Sequence, residues 1–87
     1  VNVNPPRPLN LDLLKVHEDL SRDHKILARS SLVLVFEYRG GVEVSLFRQG
    51  RMLLKNVTDE ENALSIYREI IDRIGGFLAQ RSSPQTL

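Results

Sequence analysis

Leu13, Val16 and Leu20 recur at spacings of three and four with polar residues between them, and Leu14 stands beside this stripe. That pattern predicts an amphipathic helix running to Ser21 or Arg22. Asn10 or Asp12 supplies the side-chain oxygen that caps its first turn. From Lys25 the period becomes that of extended chain. Lys25 to Ser30 is a weak strand pattern, Leu32 to Tyr38 a strong one, and Val42 to Arg48 sets Val42, Val44 and Leu46 against Glu43, Ser45 and Phe47. Arg39-Gly40-Gly41 predicts a tight turn between the last two, because glycine accepts positive φ without a Cβ clash, and Gln49-Gly50 predicts a second turn into Arg51 to Asn56.

A second helical period follows. Ala63, Ile66, Tyr67, Ile70 and Ile74 form its apolar stripe, while Arg68 and Glu69 are expected to face away. Thr58 with Glu61 three residues on reads as a capping box, with Asp59 and Glu60 adding negative charge at the positive end of the helix dipole. Gly75-Gly76 is expected to end the helix in a left-handed cap. The fold class expected is therefore α+β: a helix, an antiparallel meander sheet of three to four strands, and a C-terminal helix.

The faces of that sheet carry the main functional expectation. If Val42, Val44, Leu46, Met52 and Leu54 point toward the helices, then Phe47 and Leu53 point the other way with Arg51 and Lys55, and Val33 and Val35 or their neighbours join them. An apolar and cationic face left bare on a small domain marks an interface. The competing expectation is one helix on each face, or a bulge that turns the second face polar.

Length and composition narrow the picture. A chain of 87 residues holds one modest core, since such a chain buries only roughly 60% of its unfolded surface. Three of the four prolines fall in residues 1–8, which reads residues 1–10 as a linker arriving from something upstream, residues 11–78 as a single domain, and residues 79–87 as a disordered tail. No cysteine is present, so there is no thiol nucleophile or thiolate metal site, and a cytoplasmic setting is the expectation. The longest apolar runs are far shorter than the ~20 residues that span a bilayer. The net charge of +1 disfavours nucleic acid.

Motifs for chemistry are absent. His17 and His24 are seven residues apart with no third ligand nearby, and read as histidines at the solvent edge. Arg39-Gly40-Gly41 lacks the lysine and helix of a phosphate loop. Asp59-Glu60-Glu61 points in different directions around one helical turn, which suits capping and not a cation. No catalytic, cofactor-binding or metal-binding residue is expected.

The stretch Glu43-Val44-Ser45-Leu46-Phe47-Arg48-Gln49-Gly50-Arg51-Met52-Leu53-Leu54-Lys55, followed by an acidic capped helix with Ala63 and Tyr67, resembles a module at the C-terminal end of some ThiF/MoeB/HesA-type adenylyltransferases. There a Phe-x-x-Gly-Arg turn leads to a strand with lysine near its end and a helix with an Ala-x-x-x-Tyr pattern. The resemblance covers residues 42–74. It implies a non-catalytic accessory domain of an ATP-dependent enzyme that activates ubiquitin-like or sulfur-carrier proteins, holding a carrier, an acceptor or a second protomer. The family's glycine-rich loop, arginine finger and zinc cysteines match nothing in this chain. The alternative is a free-standing interaction or dimerisation module. The order of elements also resembles half of the TATA-box-binding protein fold, which implies DNA binding through the sheet; Phe47 is the one residue placed to act as a wedge between base steps, and the charge argues against it.

Overall fold

A computed structural model describes residues 1–79. The chain is α+β, in the order β1 (Asn2–Val3), α1 (Leu13–Leu20), β2 (Ile26–Arg29), β3 (Val33–Glu37), β4 (Glu43–Phe47), β5 (Met52–Lys55) and α2 (Glu60–Ile74). The strands form one antiparallel sheet in the order β1-β5-β4-β3-β2, so β2 to β5 are a meander and β1 is added at the far edge. The doubtful strand after Lys25 is thus real, and a fifth strand joins it.

Local chemistry explains the elements. Asp12, one of the two residues able to cap α1, does so by accepting from the Lys15 backbone N–H at 3.2 Å. The helix stops at Leu20, with Ser21 as its C-terminal cap. In α2 the capping residue is Asp59 and not Thr58: the Asp59 carboxylate accepts from the Glu61 N–H at 3.2 Å. A carboxylate next to the first turn satisfies a free N–H and opposes the dipole at once, which the Thr58 hydroxyl one residue earlier cannot match. At the other end Gly75 keeps a right-handed conformation, φ −62°, so the expected left-handed cap does not form. The Phe77 N–H instead reaches the Ile74 carbonyl at 2.9 Å.

Positive φ is used at the hairpins. Gly40 and Gly41 sit at φ 71° and 75° between β3 and β4, Gly50 at 99° between β4 and β5, and Asn56 at 68° just after β5. The Asn56 side chain donates back to the Gly41 carbonyl at 3.1 Å, tying the exit of the sheet to the first hairpin.

Residues 1–10, read as a linker, are woven into the domain. Asn2 and Val3 pair with Leu53 and Met52 of β5. The Leu54 N–H donates to the Val1 carbonyl at 2.8 Å, and the Leu9 N–H to the Gln49 carbonyl at 2.7 Å. Proline-fixed extended backbone suits a sheet edge as well as a linker, because an edge strand needs only one side of its hydrogen-bonding groups paired. At the other end Leu11 bridges Leu78, and the Ala79 N–H donates to the Asn10 carbonyl at 2.7 Å. The tail expected from residue 79 therefore begins with a paired residue; residues 80–87 lie outside the described residues.

One core unites these parts. Leu13, Val16 and Leu20 of α1 and Ala63, Ile66, Ile70 and Ile74 of α2 join Leu34, Phe36, Val44, Leu46, Met52 and Leu54 of the sheet in a single buried cluster. Strand alternation sends those sheet residues to one face, so both helices lie on that face. No polar or charged residue among those described is buried.

Candidate functional site: the helix-free face of the sheet

Alternation also dictates what is left on the opposite face. Each row across it is given by the register. Val35, Ser45, Leu53 and Asn2 stand side by side across β3, β4, β5 and β1, and Glu37, Glu43 and Lys55 do so one step along. Val33 is opposite Phe47, and Phe47 closes on Arg51 through its N–H to the Arg51 carbonyl at 2.8 Å. Phe47, Leu53, Arg51, Lys55, Val33 and Val35 are therefore all brought to one surface. Leu53 is 37% exposed, while its neighbour in sequence, Leu54, is 1% exposed.

Both cationic groups of this surface have partners within the chain. The Arg51 guanidinium lies 4.0 Å from the centre of the Phe47 ring, a cation–π contact. Lys55 Nζ is 3.5 Å from Glu43 Oε2, with 63% and 31% of the two side chains exposed. Exposed ion pairs of this kind contribute little stability and are free to change partners. The face is thus a hydrophobic strip with a cationic border along β5 and an acidic one at the Glu37 end of β3.

Elsewhere, polar side chains join the helices to the sheet. Tyr38 donates its hydroxyl to Glu69 Oε1 at 2.9 Å, and Arg39 Nη2 donates to Glu69 Oε2 at 2.6 Å. Glu69 thus turns toward the first hairpin instead of away from the domain. These hydrogen bonds, Arg39 first and Tyr38 second, hold the Glu69 carboxyl below its ordinary range, while burial and the bond to Glu69 push the Tyr38 phenol up. His24 stacks on Tyr38 with ring centroids 5.0 Å apart, and its side chain is only 16% exposed, so it is a packing residue and not one at the solvent edge. The sequence held no signal for these links, since the partners are far apart in the chain and share no motif.

An open hollow of about 760 Å³ lies between the start of α1 and the β2–β3 turn, with Arg29 and Arg48 on its walls. Two of its other polar groups are committed to local structure: Asp12 caps α1, and the Ser30 hydroxyl accepts from the Leu32 and Val33 N–H groups, both at 3.1 Å. Nothing in that lining pairs a nucleophile with a base. Among the described residues no cluster of three or more metal-ligating side chains occurs, and no helix is long and apolar enough to cross a membrane. No protein-family profile, curated protein or solved structure matches this chain.

Proposed function

We propose that this chain is a non-catalytic protein-docking domain whose partner lies against the helix-free face of the sheet. One observation carries the reading: Val33, Val35, Phe47 and Leu53 form an apolar strip on the face opposite both helices, bordered by Arg51 and Lys55. Apolar area supplies affinity, and the charged border supplies register and selectivity. The resemblance of residues 42–74 adds a setting, an accessory domain of a ThiF/MoeB-type enzyme that acts on ubiquitin-like or sulfur-carrier proteins. A reading frame in which this chain is fused to, or neighbours, an adenylyltransferase supports that setting, and one without it removes it.

The docking reading is tested by NMR titration of the isotope-labelled chain with a ubiquitin-like carrier and, separately, by dilution of the chain alone. Shifts centred on Val35, Phe47 and Leu53 support it. Shifts confined to α1 and α2 overturn it.

A further inference from the structure

Resting on that docking reading, we propose that the occupant of the face is a second copy of this chain, related by a twofold axis running along β4. The register carries this. Glu37 and Lys55 lie in one row on either side of Glu43, one on β3 and the other on β5. Their strands are each about 4.8 Å from β4, so a twofold rotation along β4 exchanges their positions. When two such faces meet, Lys55 of each copy comes opposite Glu37 of the other, and the pair is made twice, as a closed symmetric interface requires.

The same operation matches the apolar positions. Val35 and Leu53 occupy equivalent places on β3 and β5 in the next row, flanking Ser45. Each Leu53 therefore faces a Val35, and Phe47, on the axis, faces its own counterpart with Arg51 beside it. Serine on the axis leaves room for the larger residues to interdigitate. Glu43 also lies on the axis, and the ion pair with Lys55 of its own copy at 3.5 Å offsets the meeting of like charges. Sheets packed in this way keep their strands within about 30° of each other at about 10 Å separation, which suits a face of this size. With three strands of four or five residues, the face projects about 230 Å² per copy, well under half of a standard interface, so the dimer belongs to the weak and reversible class.

The experiment is a charge exchange between two variants of the full chain, read by sedimentation equilibrium up to about 1 mM, with thermal melting to establish that each variant is folded. In its own dimer, Glu37→Lys sets two positive charges against each other at each of the paired positions, and Lys55→Glu sets two negative ones. Each variant alone is expected to bind itself at least about tenfold more weakly than wild type. Mixed in equal amounts, the two regain association, because every cross-pair is again of opposite sign. An effect within one chain cannot produce that recovery.

A wild-type chain that stays monomeric throughout overturns the inference, and so does a mixture no better associated than its components. In both cases the carrier titration still decides the broader docking reading on its own. Dilution shifts that map to the open edge of β2 place the contact between sheet edges and overturn this dimer as well.

Discussion

Arg73 and Asp23 face each other as a two-pronged pair, with Nη1 donating to Oδ2 at 3.0 Å and Nη2 to Oδ1 at 2.8 Å. Arg73 also donates from Nε to Asp19 Oδ2 at 2.8 Å and from Nη2 to the Asp19 carbonyl at 3.1 Å. One guanidinium thus joins the last turn of α2 to the end of α1 and the loop into β2. It ties together two helices that already share one core on the same face of the sheet.

Removing this clamp should loosen the helices without changing the sheet. Arg73→Ala is expected to lower the melting temperature by a few degrees and to speed amide exchange around Asp19 to His24. Arg73→Lys should recover little of the loss, because an ammonium cannot engage Asp23 with two parallel hydrogen bonds. Equal stability of wild type and Arg73→Ala in a denaturant titration would show the clamp to be inert.

Acid should weaken the fold through two carboxylates. Hydrogen bonds from Arg73 hold Asp23 below its ordinary value of 3.8, and those from Arg39 and Tyr38 hold Glu69 below 4.5. A carboxyl whose folded pKa is depressed contributes stability that is complete above the unfolded pKa and is lost as pH falls through the folded one. The urea midpoint is therefore expected to be level near neutrality and to decline below about pH 4. Glu69→Gln should flatten part of that decline, and added salt should flatten it further, since both groups are exposed.

The two residues at the start of α2 are separable by mutation. Asp59→Ala should cost about 0.5–2 kcal/mol of stability and Thr58→Ala less than about 0.5 kcal/mol, because the Asp59 side chain is the one that meets the helix N–H. Chemical denaturation of the two variants checks the order, and a larger loss at Thr58 would restore the capping box.

Adjacent leucines on β5 offer the cleanest test of the two faces. Leu54→Ala is expected to cost about 2–5 kcal/mol, as for a leucine fully enclosed in a core. Leu53→Ala should change stability by about 0.5 kcal/mol or less while weakening association through the sheet. Urea unfolding reads the first difference and sedimentation the second.

Gly40 is held at φ 71° with nothing within 4 Å of an added Cβ. Gly40→Val should therefore cost about 1–2 kcal/mol from backbone strain alone, with no contribution from crowding. A variant as stable as wild type by thermal melting would mean that the hairpin has reshaped itself.

Much of this architecture is written in local pattern. The alternation in Val42 to Arg48, the stripe from Ala63 to Ile74 and the glycines of the hairpins report the geometry of one element at a time, and that geometry repeats every two or 3.6 residues. Because a strand fixes which side chains share a face, the grouping of Phe47, Leu53, Arg51 and Lys55 was legible as soon as the strands were. Whether both helices would crowd onto the opposite face was not, since one helix per face fits the same pattern. That was decided by contacts across the chain: Arg73 reaching Asp19 and Asp23, Glu69 reaching Tyr38 and Arg39, and the inward stripes of both helices meeting one core. The strand at Asn2–Val3 was hidden for the same reason, because two residues have no period and their pairing depends on an open edge of β5 that exists only once the sheet is assembled. From α1 to α2 the local pattern was enough to give the elements and the two sides of each strand, since these follow from backbone geometry. Which side both helices cover could not be read from any one segment, because that depends on where distant parts of the chain come to rest.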